Sequence, residues 1–152
     1  MKMKRVLAFL ALASTAALVG FESPAIAQTC TPLEVVDGNG ATFVRKTVSL
    51  PGVLFVNSNW NTDFVVTVPY SYYVATVVSH SGNPYDVQVF LKYPDGSADE
   101  SYSIENFSIA PSEPLVITAE PRAFSDPFQV NVEVGGLNAE GNTYTTYVSG
   151  CR

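Results

Sequence analysis

The stretch FQVNVEV, Phe128 to Val134, alternates apolar and polar positions without a fault. Phe128, Val130, Val132 and Val134 fall on one side, and Gln129, Asn131 and Glu133 on the other. A period of two marks a strand with one dry and one wet face. YDVQVFL repeats the pattern, with Tyr85, Val87, Val89 and Leu91 set against Asp86, Gln88 and Phe90. Phe90 interrupts the polar side and predicts an exposed ring or a covering loop. Segments 41–48, 53–56, 64–68, 72–79, 114–119 and 143–149 are rich in β-branched and aromatic residues and also read as strands. SYSIENF, 101–107, is the least regular candidate.

Turn residues separate these runs. DGNG (37–40), HSGNP (80–84), PDGS (94–97), APSEP (110–114), Gly135-Gly136 and AEGN (139–142) carry the Gly, Pro, Asn and Asp that turns require. No stretch after residue 27 shows a helical period. The pattern predicts an all-β fold: a single antiparallel β-sandwich, Ig-like or jelly-roll-like, of about eight or nine strands. A closed barrel is the alternative.

The first 27 residues follow another rule. Lys2, Lys4 and Arg5 precede an apolar run from Val6 to Gly20, and Ala25-Ile26-Ala27 follows it. This is the layout of a secretory signal peptide cleaved after Ala27. The run is short for a membrane anchor, which needs roughly 20 residues. The predicted organisation is a signal peptide, 1–27, and a β-sandwich domain, 28–152. The destination is the periplasm, the cell surface or the medium, with no transmembrane segment after cleavage.

The formal net charge is −6, from eight basic and fourteen acidic residues. Cleavage removes three of the basic residues and one acid, leaving five against thirteen. An acidic chain without a basic cluster repels phosphate backbones, which argues against nucleic acid as a partner. Cys30 and Cys151 lie near opposite ends of the mature domain. In an oxidising compartment an even pair predicts a disulfide, and the wide spacing is unlike a Cys-x-x-Cys redox motif.

DFVVTVPYSYYVATVV, YDVQVFLKYPDGS and PFQVNVEV together give a strand ending in Val-Pro, a strand with a Tyr-Pro-Asp-Gly turn, and a final alternating strand. Over about residues 60–135 this resembles the bacterial pre-peptidase C-terminal domain, a small secreted β-sandwich attached to exported hydrolases. Gly82-Asn83-Pro84-Tyr85 stands where that family has a small acidic stretch. The resemblance implies a sandwich and a non-catalytic role, and no particular ligand.

Candidate chemistry is sparse. His80 is the single histidine and lies in a predicted hairpin turn; no Gly-x-Ser-x-Gly elbow accompanies it, and one histidine with two bridged cysteines suits zinc poorly. No catalytic residue is assigned. Asp95, Asp99 and Glu100, with Glu105 nearby, are candidate calcium ligands because clustered carboxylates suit a hard cation; the competing reading is a polar hairpin turn. Trp60, in NSNWNTD, and Tyr70, Tyr72 and Tyr73, in PYSYYV, are candidate ligand-binding aromatics. Adjacent tyrosines on a strand face opposite sides, so one of Tyr72 and Tyr73 points away from the core. Trp60 has two readings: a sugar-stacking platform, or an anchor folded onto one end of the sandwich from a polar turn. The sequence therefore predicts a non-catalytic secreted or cell-surface protein with a structural or adhesive role. The alternatives are a carbohydrate- or calcium-binding module and a pilus-like fibre subunit. The partner would be a surface polymer, a glycan or a protein.

Overall fold

A computed structural model describes residues 28–49 and 59–152. The signal peptide and the candidate strand at 53–56 lie outside the described residues. Among those described, nine strands form two antiparallel sheets. They are β1 (Cys30–Pro32), β2 (Phe43–Thr47), β3 (Asn61–Val65), β4 (Tyr72–Ser79), β5 (Pro84–Lys92), β6 (Ala98–Ser108), β7 (Leu115–Ala119), β8 (Gln129–Gly135) and β9 (Thr143–Cys151). One sheet runs β1-β9-β4-β7, with β2 also on β9; the other runs β3-β8-β5-β6.

β1 and β2 share one edge of β9. Cys30–Pro32 pair with Cys151–Ser149, Leu33 N donates to Val148 O, and Phe43–Thr47 pair with Tyr147–Thr143. They are one edge strand interrupted by residues 34–42. That excursion crosses to the other sheet, where Val35 bridges Phe64 and Val36 N donates to Asp63 O. With β1 and β2 counted as one strand, the chain alternates between sheets at every step except the β5–β6 hairpin. This is the jelly-roll course. Two separate ladders exclude the closed barrel.

The predicted alternation builds the core. Tyr85, Val87, Val89 and Leu91 of β5 and Val130, Val132 and Val134 of β8 are buried against Tyr73, Ala75, Val77, Ile117, Tyr144 and Val148 of the other sheet. Tyr85 and Tyr144 meet edge-to-face at 6.1 Å. Phe90 is half-buried on the outer face. Phe128 departs from expectation. It precedes β8, its backbone bonds to Lys92 and Val66, and its ring is exposed.

Other boundaries differ for identifiable reasons. SYSIENF belongs to the longest strand, β6. As an edge strand with register irregularities at Tyr85/Val87 and Val89/Phe90, it shows no clean period. The strand predicted at 64–68 lies at Asn61–Val65 instead. Asn61 and Asp63 are paired outward-facing residues, opposite Glu133 and Asn131, so their polarity marks a wet face and not a turn. HSGNP is a corner between sheets and not a hairpin, because β4 and β5 lie in different sheets.

Candidate functional site

Trp60 immediately precedes β3. Its carbonyl accepts from Val134 N, and its indole Nε1–H donates to Ser49 O at 2.8 Å. One ring face lies on Gly135, where any Cβ would overlap the indole. Asn59 adds to the closure: its Nδ2 donates to Thr47 O at 2.8 Å and its Oδ1 accepts from Ser49 N at 3.1 Å. Lys46 Nζ donates to the carbonyls of Asn59 and Asn61 at 3.2 and 2.6 Å. Burial lowers the Lys46 ammonium's pKa, partly opposed by the charge of Asp63. Trp60 is thus an anchor that ties residues 59–61 to residues 46–49.

The rest of the indole borders a hollow on the outer face of the four-stranded sheet, lined also by Asp86, Gln88, Ile104, Glu105 and Glu133. Register explains the convergence: Gln88 pairs with Glu133 across β5 and β8, and Asn61, beside Trp60, pairs with Glu133 across β3 and β8. Gln88 Nε2 donates to Glu100 Oε2 at 3.2 Å, which orients its amide. Asp86 Oδ1 accepts from Asn106 N at 2.7 Å. The hollow holds about 90 Å³. That is about the volume of three waters, so it accepts the hydroxyl-bearing edge of a ligand and not an enclosed molecule. Sequence reasoning named Trp60, placed Glu105 only beside the Asp95 cluster, and assigned no site role to Asp86, Gln88 or Glu133. Alternation put Gln88 and Glu133 on wet faces; only strand order brings them together.

The tyrosines lie at the other pole of the sandwich. Trp60 sits by the end of β8 and the start of β5, while Tyr70 packs on Gly150, beside the start of β4. Tyr70 meets Tyr73 edge-to-face at 5.9 Å. Tyr73 is fully buried, and Tyr72 is the one turned outward, opposite Cys151. The structure therefore does not bring Trp60 and these tyrosines onto one platform. Burial raises the Tyr73 phenol to about 12, with the charge of Asp126 adding to it.

The Asp95 loop is organised around a cation already in the chain. Arg122 Nε and Nη2 donate to Asp99 Oδ2 and Oδ1 at 2.8 and 2.6 Å, and Nη1 reaches Asp95 Oδ2 at 3.5 Å. Its guanidinium lies 3.9 Å over the Tyr93 ring. Hydrogen bonding to Arg122 lowers the Asp99 pKa; bonding to Ser97, with help from Arg122, lowers that of Asp95. Glu100 turns away towards Gln88. The three candidate calcium ligands do not converge, and no group of three or more His, Cys, Asp or Glu suited to a metal ion occurs among the described residues. His80 is an exposed corner residue whose Nε2 bonds Thr145 Oγ1 at 2.8 Å. Cys30 and Cys151 form the expected disulfide across β1 and β9. No helix among the described residues is long and apolar enough to cross a membrane.

No protein-family model matches the chain, and no curated protein matches it. Several solved structures align with it at low identity. Pseudomonas aeruginosa AlgX aligns at 10% identity with a TM-score of 0.47, over 70% of this chain and 25% of AlgX, so the chain spans about a quarter of that protein. The xylan-binding module CBM15 aligns at 13% identity and 0.45, over 81% and 97% of the two chains. A family 29 carbohydrate-binding module aligns at 8% identity and 0.45, over 83% and 90%. At these identities and scores the likeness assigns neither a family nor a role.

Proposed function

We propose that this protein is an exported, non-catalytic binding module that takes the edge of a neutral saccharide beside Trp60. The observation that carries the reading is the hollow itself. It combines part of an aromatic ring with an oriented amide, Gln88, and three carboxylates, Asp86, Glu105 and Glu133. Sugar C–H faces pack on aromatic rings, while their hydroxyls donate to carboxylates and exchange hydrogen bonds with amides. The acidic lining disfavours anionic ligands such as uronates or phosphates. Export is supported by the closed disulfide, which persists in oxidising compartments. The resemblance to pre-peptidase C-terminal domains agrees with a non-catalytic role and names no ligand.

Trp60 is the single tryptophan of the chain, so its emission reports on this hollow alone. Titration with neutral oligosaccharides should give a saturable change in emission that Gln88→Ala and Glu133→Ala abolish while leaving thermal unfolding nearly unchanged. If no neutral saccharide changes the emission, or if both variants bind as the parent does, the reading is wrong.

A further inference from the structure

The acids of this chain are divided between the sheets. β3, β5, β6 and β8 contain six: Asp63, Asp86, Asp99, Glu100, Glu105 and Glu133. β1, β2, β4, β7 and β9 contain none. In an acidic protein the outer face of that second sheet is therefore free of carboxylates from its own strands, and its one outward charge is Arg45, at the edge. The same face carries exposed apolar side chains in one cross-strand row. Register places Phe43 opposite Tyr147, Tyr147 opposite Thr76, and Thr76 opposite Val116. Phe43 and Val116 are each 59% exposed and Tyr147 39%. Val74, Val78, Thr118 and Thr145 flank the row on the same side.

We infer that this face is a self-association surface, covered by the same face of a second copy in a two-fold, sheet-on-sheet dimer. Charge selects that occupant. Two mature copies, each with five basic against thirteen acidic residues, repel one another through the acidic sheet and meet without carboxylates on the facing strands only here. Size permits it. Four strands about 4.8 Å apart, three running the roughly 30 Å of β9 and β7 about half of it, give a face of roughly 500 Å², enough for a weak, reversible pair. A standard interface buries about 800 Å² per partner. Composition helps as well, since the β-branched side chains of the face have little rotamer freedom to lose on ordering. A two-fold axis near Tyr147 and Thr76 would set each copy's Phe43 towards the other's Val116 edge, the self-complementary geometry of an isologous pair. The Trp60 hollow, on the opposite sheet, stays open in both copies.

Sedimentation of the disulfide-closed protein over a wide concentration range tests this. A reversible monomer–dimer equilibrium is expected. Phe43→Glu and Val116→Glu place like charges at the interface and should each weaken it by about tenfold or more. Ser112→Glu, in the exposed β6–β7 turn, should not change it. Far-UV circular dichroism confirms folding, because neither Phe43 nor Val116 contributes to the core. A parent that stays monomeric at every concentration overturns the inference. So does a dimer that survives both substitutions. A monomeric parent whose retention on a neutral polysaccharide, or on phosphatidylcholine vesicles, is lost in Phe43→Glu would assign the face to that ligand and overturn self-association.

Discussion

The indole of Trp60 lies on the backbone of Gly135, and a single methyl group at position 135 would overlap it. Gly135 ends β8 and Trp60 immediately precedes β3, so this contact fixes where the edge strand β3 begins against the end of its neighbour β8. Gly135→Ala should cost about 1–3 kcal/mol, the range for overpacking a filled site. Trp60→Phe keeps a ring but removes the donor to Ser49 O, and should cost about 1 kcal/mol from that bond alone. Urea unfolding measures both. A neutral Gly135→Ala would mean that the indole is free to move aside.

The disulfide joins residues 121 apart in sequence. A loop of that length gives up to about 5 kcal/mol in the chain-entropy model, and measured values centre on about 2–4. The paired Cys30→Ser, Cys151→Ser variant should fall in that measured range. β1 makes only three residue pairs, so it should be the first strand to lose amide protection. Hydrogen exchange at Thr31 and Gly150 checks the local part of the prediction.

Arg122 straps the 120–128 connection to the β5–β6 hairpin through Asp99, Asp95 and Tyr93. Asp95 and Asp99 have lowered folded-state pKa values, so their contribution is present above the unfolded carboxylate value near 3.9. It is lost as pH falls through their lowered values. Arg122→Gln should therefore lower the Tm at pH 7, and the gap to the parent should begin to close only below about pH 4 and vanish beneath the lowered values. A gap that persists in acid would assign the effect to packing on Tyr93 and not to charge.

Tyr73 has its folded-state pKa raised to about 12, chiefly by burial, and burial raises Tyr144 as well. For a phenol that must stay neutral when folded, stability is complete below the unfolded value of about 10. It is lost as pH climbs through the folded values. The protein should therefore unfold cooperatively in alkali above about pH 10, with both phenols ionising in the same step. Absorbance of phenolate against circular dichroism tests the coincidence. Tyr73→Phe should shift the alkaline midpoint upward if it folds, since it also removes a buried hydroxyl without a hydrogen-bond partner among the described residues.

The strands were legible wherever one face is wet and the other dry, as in β5 and β8, because alternation is a local consequence of the pleat. It failed at the edges. β6 hid its length because only Tyr102 and Ile104 pack on the core and the register shifts on either side break the period. β3 was misplaced because Asn61 and Asp63 look like turn residues until Glu133 and Asn131 are known to stand opposite. Trp60 could be singled out by its rarity, yet the hollow beside it depends on which strands are neighbours. The division of acids between sheets was present in the sequence as well, but only topology sorts the strands into the two groups.

The bridge between Cys30 and Cys151 also sets how the domain carries load. A pull applied outside these two residues runs through the S–S bond and leaves the interior slack. Without the bridge the same pull would peel β1 and then β9 away, releasing about 3.5 Å of contour for each residue drawn out. With it closed, the stretch between two cysteines 121 apart in sequence cannot lengthen at all until a covalent bond breaks. Tension becomes a matter of chemistry: a thiol reductant, and not force alone, decides whether this domain can be stretched.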